Sequence, residues 1–184
     1  MDSTTQATTA TDNFKPQTLD AYFFLLWGYV MVFLGILIFA LQMNGGGKAL
    51  GSMWALTPVL GISGTLLLKR RMRGKQQLFA GHKKQIGAIW SVVGPGMGYV
   101  SLLAPNPMGI QLFLSGVAIS VHGAITHFRA ARLIGIALAL LSPLIFRVPF
   151  PYSNLVFGIV GGAGLFLPGH LLLAAARKRQ RAEA

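Results

Sequence analysis

Residues 21–42 read AYFFLLWGYVMVFLGILIFALQ, an apolar run without a charged side chain. A helix that crosses the hydrocarbon of a bilayer needs about 20 such residues, since each adds about 1.5 Å. Five further runs of this kind follow, at 49–68, 85–104, 108–128, 130–146 and 152–176. Each is continuous. A transmembrane barrel would instead show alternating segments of about ten residues. The sequence therefore predicts an all-α, polytopic integral membrane protein, a bundle of six transmembrane helices over residues 20–176. Residues 1–19 are expected to be a disordered cytoplasmic tail, with little to bury. Residues 177–184 read as a basic cytoplasmic tail.

Composition agrees. Of 184 residues, 53% are hydrophobic and 11% charged, against about 25% charged in a soluble domain. The first 20 residues are polar and lack the apolar core of a secretory signal, so helix 1 is expected to insert and stay. There is no cysteine, which excludes disulfides and thiolate metal sites.

Charge sets the orientation. With the N-terminus in the cytoplasm, the inner segments hold Lys15, seven basic residues between Lys69 and Lys84, Arg129, Arg132, Arg177, Lys178, Arg179 and Arg181. The outer loops hold only Lys48 and Arg147. Basic residues favour the cytoplasmic side, so both termini are expected on the cytoplasmic side of a bacterial inner membrane. The net charge of +12 thus points to anionic lipid headgroups and not to nucleic acid. Lys69, Arg70, Arg71, Arg73, Arg177, Lys178 and Arg179 form the expected headgroup or partner patch.

Small residues recur at four-residue spacing, in Gly94 and Gly98, in Ala131, Gly135 and Ala139, and in Gly158 and Gly162. Such spacing lets helix backbones approach, within one bundle or across a homodimer seam. Pro58, Pro95, Pro143 and Pro168 fall inside apolar runs. Each removes a backbone donor, so each is expected to face protein, where the freed carbonyl finds a partner.

Two three-helix halves can be laid side by side. Gly28 and Gly35 match Gly116 and Gly123; Leu56-Thr57-Pro58 matches Leu141-Ser142-Pro143. Gly94, Pro95 and Gly96 fall opposite Gly161, Gly162 and Gly164, near mid-membrane. Inverted repeats with broken helices at matching positions mark transporters, which makes these six residues a candidate broken-helix site.

Little catalytic chemistry is available. All four acidic residues lie outside the apolar runs; Asp20 stands at the start of helix 1, where the helix dipole favours it. Intramembrane carboxylates, on which proton relays and cation pumps rely, are missing. No metal site or cofactor is expected. Ser63, His122 and His170 lie six or seven residues from the basic ends of their helices, roughly 10 Å below the cytoplasmic boundary. This candidate polar cluster has two readings. Each group serves an interhelical hydrogen bond, or serine and histidine act as nucleophile and base.

Gly61-Ile62-Ser63-Gly64, together with His170, resembles the rhomboid-like intramembrane proteases. That resemblance implies a hydrolase using Ser63 with His170 or His122. The motif lies on the second helix, whereas that family carries it on the fourth, and the family's His-rich second helix is missing. Tyr22-Phe23-Phe24-Leu25-Leu26-Trp27-Gly28 and Leu167-Pro168-Gly169-His170-Leu171-Leu172 resemble segments of a group of small six-helix bacterial inner-membrane proteins. The group implies a fold and no active site. The function expected from the sequence is a non-enzymatic membrane scaffold or partner protein. A small-solute transporter is the alternative, and an intramembrane enzyme the third reading.

Overall fold

The computed structural model describes residues 18–72, 82–103 and 107–182. The expected N-terminal tail lies almost wholly outside them. Six helices make up the fold: α1 (Thr18–Met43), α2 (Leu56–Arg71), α3 (Lys83–Leu103), α4 (Met108–Ile125), α5 (Arg129–Leu141) and α6 (Tyr152–Ala182). Two 3-10 segments, Lys48–Ala55 and Ser142–Arg147, precede α2 and extend α5. There is no strand among the described residues. Five segments are long and apolar enough to cross a membrane: Leu19–Met43, Ala49–Arg71, Met108–Ile125, Arg129–Arg147 and Tyr152–Lys178. The sixth helix, α3, is 21 residues long. Four glycines, Pro95 and two leading lysines dilute its apolar character.

Helix ends follow local chemistry. Asp20 lies in the first turn of α1, at the positive end of its dipole. The helix stops at Gly45, whose φ of +90° suits glycine best. The Gly46 N–H then donates back to the Leu41 carbonyl at 3.0 Å, and the Asn44 side chain donates to the Ala40 carbonyl at 2.8 Å. Both satisfy carbonyls the helix leaves unpaired. Helix α6 runs on through the basic segment to Ala182, since Arg, Lys and Gln are good helix formers. Its 31 residues span about 46 Å, well over the roughly 30 Å of hydrocarbon.

The prolines divide differently from expectation. Pro168 is buried inside α6. Pro58, Pro95 and Pro143 are exposed. Pro58 sits in the first turn of α2 and Pro143 in the first turn of the 3-10 segment. Both follow a preceding helical turn without a break, and the carbonyls they leave find other donors: the Leu56 N–H reaches the Trp54 carbonyl, and the Ser142 N–H and hydroxyl both donate to the Ala139 carbonyl, so neither proline needs protein cover. Pro95 lies mid-helix on the open side of α3.

The core is held by backbone contact. Along α1 and α6, Gly35 meets Gly158, and a Cβ built on Gly35 would lie 2.7 Å from the Gly158 Cα. Gly28 meets Gly162 and Phe166 in the same seam, a Cβ there lying 2.9 Å from the Gly162 carbonyl oxygen. A second seam joins α4 to α5, where a Cβ on Gly116 would lie 2.5 Å from the Ala139 nitrogen. Phe24, Leu112, Ile119, Ala131, Leu138 and Phe157 fill the space between the two pairs. Helix α2 leans on α1, and α3 on α4. Most of their side chains remain open, and Gly61 is the one buried residue of α2. The Gly94 and Gly98 pair on α3 faces open space. Spacing offered the approach, but no helix among the described residues takes it up.

These contacts separate two kinds of glycine. Gly35→Val is expected to lower stability by about 2–3 kcal/mol, because the opposing atoms are backbone and cannot rotate aside. Gly94→Ala is expected to be neutral or to raise stability by up to about 1 kcal/mol, through helix propensity alone. Thermal unfolding of the purified variants in detergent micelles measures both.

Candidate functional site

The contacts of α1 with α2, of α4 with α5 and of α1 with α6 run antiparallel. Trp27 of α1 lies on Gly61 of α2, Met97 of α3 meets Gln111 of α4, and Gly28 and Gly35 of α1 meet Gly162 and Gly158 of α6. One end of the bundle therefore gathers the start of α1, the end of α2, the start of α3, the α4–α5 turn and the end of α6. That end carries Lys69, Arg70 and Arg71 in the last turn of α2, together with Arg129, Arg132, Arg177 and Lys178. Those in the last turn of α2 also complement its helix dipole. Arg179 belongs to the same stretch of α6; Arg73 lies outside the described residues.

The candidate polar cluster at that end does not assemble. His122 is buried, 2% exposed, with its ring edge-on to Phe24 at 4.9 Å between centroids. His170 lies on the outer surface of α6 and shares a hydrogen bond of 3.1 Å with the Tyr29 hydroxyl. Ser63 is exposed on α2. No hydrogen bond joins any two of the three. The glycines around Ser63 have a packing role instead. A Cβ on Gly61 would lie 2.5 Å from the Trp27 ring, and one on Gly64 would lie 2.8 Å from Leu26. Trp27 Nε1 donates to Thr65 Oγ1 at 3.2 Å, and Thr65 donates to the Gly61 carbonyl at 2.7 Å. Gly61 and Gly64 are thus the seats on which α2 rests against α1.

The two halves of the candidate broken-helix site are also far apart in character. Around Gly94 and Gly96 there is open space, and Pro95 is exposed. Helix α6 continues unbroken through Gly161, Gly162 and Gly164. There Gly161 packs on Met31 and Leu112, Gly162 on Val32 and Gly28, and Gly164 on Leu138. Three glycines in one helical turn let α6 touch α1, α4 and α5 together. Exchanging the two proposed halves would map the close α1–α6 seam onto α3–α4, which is a much lighter contact.

A polar chain at the other end escaped the sequence reading. Trp54 Nε1 donates to Asn154 Oδ1 at 2.8 Å, and Asn154 Nδ2 donates to Gln42 Oε1 at 2.9 Å. Asn154 is 1% exposed. The chain ties the end of α1, the 3-10 segment before α2 and the start of α6 into one knot. Trp54 also stands edge-on to Phe157 at 4.8 Å. The signal was present, since Gln42, Gln111 and Asn154 are carboxamides within or beside apolar runs. Gln111 joins α4 to α3, donating to the Met97 carbonyl at 3.3 Å. On the open flank of α4 and α5 lies a shallow apolar groove of about 180 Å³, lined by Val117, Val121, Ile136 and Leu140 among others. No group of three or more metal-ligating side chains occurs among the described residues.

No family model, curated protein or solved structure matches the chain.

The Asn154 knot has a measurable weight. Asn154→Leu leaves the buried Gln42 oxygen and the Trp54 N–H without their partners, and is expected to cost about 2–4 kcal/mol. Trp54→Phe removes one donor and keeps most of the ring, and is expected to cost about 1 kcal/mol. Unfolding midpoints of the two variants in the same detergent give the ranking.

Proposed function

We propose that the protein is a non-enzymatic scaffold of the bacterial inner membrane. Its helices cross the bilayer with both termini in the cytoplasm. Its cationic end rests on the anionic headgroups of the cytoplasmic leaflet, and the open faces of α2 and α3 are left for lipid or a partner helix. One observation supports this reading: the α1–α6 and α4–α5 seams are closed by backbone against backbone, at glycines within the apolar stretches. A solute path of the alternating-access kind runs between repeats within such stretches. Tight packing there supports a rigid unit that positions other components.

Electrostatics supports the anchoring. Each basic side chain near an anionic leaflet contributes about 1 kcal/mol. Arg177, Lys178 and Arg181 are exposed on the part of α6 that extends past its apolar stretch. Long side chains at such a helix end bury their stems and place their charge among the headgroups.

Native mass spectrometry from mixed micelles tests the anchoring. The intact protein is expected to retain phosphatidylglycerol in preference to phosphatidylcholine. The triple variant Arg177→Gln, Lys178→Gln, Arg181→Gln is expected to lose most of that preference. Reporter fusions in the 72–82 connector are expected to report a cytoplasmic position. An equal affinity for both lipids, a connector outside the cell, or labelling of Ser63 by an activated-serine probe would each overturn part of the proposal.

A further inference from the structure

Ionisable side chains within membrane helices ordinarily face the bundle interior or a water-filled cavity. His170 and Tyr29 do the reverse. Tyr29 is 54% exposed on the outer surface of α1, and His170 is exposed beside it on α6. His170 lies one turn and a half before the end of the apolar stretch of α6, on the order of 10 Å inside the hydrocarbon. The rings are held in place. Tyr29 stacks on Phe166 at 6.0 Å and 11°, and His170 stands edge-on to both, at 6.4 Å and 6.2 Å. Beneath them the Gly28–Gly162 contact draws α1 and α6 together, so the pair sits on a broad shared face. Phe33, Ile36 and Ile159, each 46–60% exposed, continue that face with apolar side chains.

The hydrogen-bond inventory of the pair selects its partner. A neutral imidazole has one donor and one acceptor, and a phenol has one donor and at least one acceptor. If the tyrosine donates to Nε2, the histidine keeps an Nδ1–H and the tyrosine oxygen keeps a lone pair. If Nε2–H donates instead, the tyrosine keeps its O–H and the histidine keeps Nδ1 as acceptor. Either way the pair presents one unused donor and one unused acceptor. Lipid tails offer neither, and an unsatisfied polar group there costs several kcal/mol. A second copy of the chain supplies both. Two copies in the same bilayer have the same orientation, and a two-fold axis along the membrane normal brings the pairs together at the same depth. Each donor then meets the other copy's acceptor, as an isologous interface requires.

We propose that the outer face of α1 and α6, centred on Tyr29 and His170, is a homodimer interface. The inference rests on the protein residing in a bilayer and is independent of its scaffold role.

The absence of cysteine makes the test direct, because any introduced thiol is the only one. Phe33→Cys is expected to give a covalent dimer in native membranes with a short bismaleimide. Val92→Cys, on the exposed side of α3, is expected to stay monomeric. Adding His170→Leu or Tyr29→Phe to the Phe33→Cys chain is expected to lower the dimer yield about fivefold or more, the equivalent of about 1 kcal/mol per interface. Both residues are exposed, and an unchanged unfolding midpoint shows that the variants still fold. A Phe33→Cys chain that stays monomeric, or a yield indifferent to His170 and Tyr29, overturns the proposal. So does crosslinking at Leu140→Cys in place of Phe33→Cys, which moves self-association to the α4–α5 groove. Recovery of the protein in the soluble fraction overturns the membrane reading itself.

Discussion

The fold depends on how closely two helices can approach when no water drives them together. Apolar side chains gain little by leaving lipid for one another. What remains is dispersion, about 0.1–0.2 kcal/mol for each well-placed atom pair, and dispersion rewards close approach. Gly35 on Gly158 and Gly28 on Gly162 bring the first helix and the last into backbone contact. Gly116 and Gly135 do the same for α4 and α5. The first and last helices are therefore closed onto each other along the most extensive seam of the bundle. Helices α2 and α3 are carried between these two pairs.

This closure explains the unequal exposure of the six helices. Among the described residues, four of them supply nearly all the buried core, while α2 and α3 contribute Gly61 and Ile86. In water such helices would be a liability. In lipid an exposed leucine or valine is already in its preferred solvent, so α2 needs little more than the Trp27 and Leu26 contacts. The same reasoning accounts for proline. At Pro58 and Pro143 neighbouring donors take the carbonyls the prolines leave, from the Leu56 N–H and from Ser142, so their exposure leaves little unsatisfied.

Fold class was legible because length and hydropathy are one-dimensional properties. The six helices fall where the apolar runs lie, with 3-10 geometry at Lys48–Ala55 and Ser142–Arg147 beyond the reach of hydropathy. Packing was legible only in part. Gly158 and Gly162 are in a seam, but Gly94 and Gly98, with the same spacing, face open space. Spacing says that an approach is sterically allowed; which neighbour arrives is a tertiary fact. Ser63, His122 and His170 share a depth, as their distance from the basic ends requires. Depth leaves azimuth free, and the three point to a lipid-facing flank of α2, the core, and the outer face of α6. Asn154 was missed for the converse reason. It sits in the first turn of α6, where a polar residue reads as a boundary, yet it is among the most buried side chains in the protein.

Polar groups in this bundle are consequently of two kinds, distinguished by whether their hydrogen bonds close within one chain. Gln111 crosses from α4 to the α3 backbone, and Asn154 bridges Trp54 and Gln42. These are intramolecular ties that fix helix ends against one another. Tyr29 and His170 also bond to each other, but that bond leaves one donor and one acceptor on exposed side chains. Hydrocarbon makes that distinction consequential, because no water is present to take up the remainder. A polar pair on the outside of a membrane helix is incomplete in a way that the same pair on a soluble protein is not. Its completion has to come from another molecule with matching groups at the same depth, and a second copy of this chain meets that condition by symmetry.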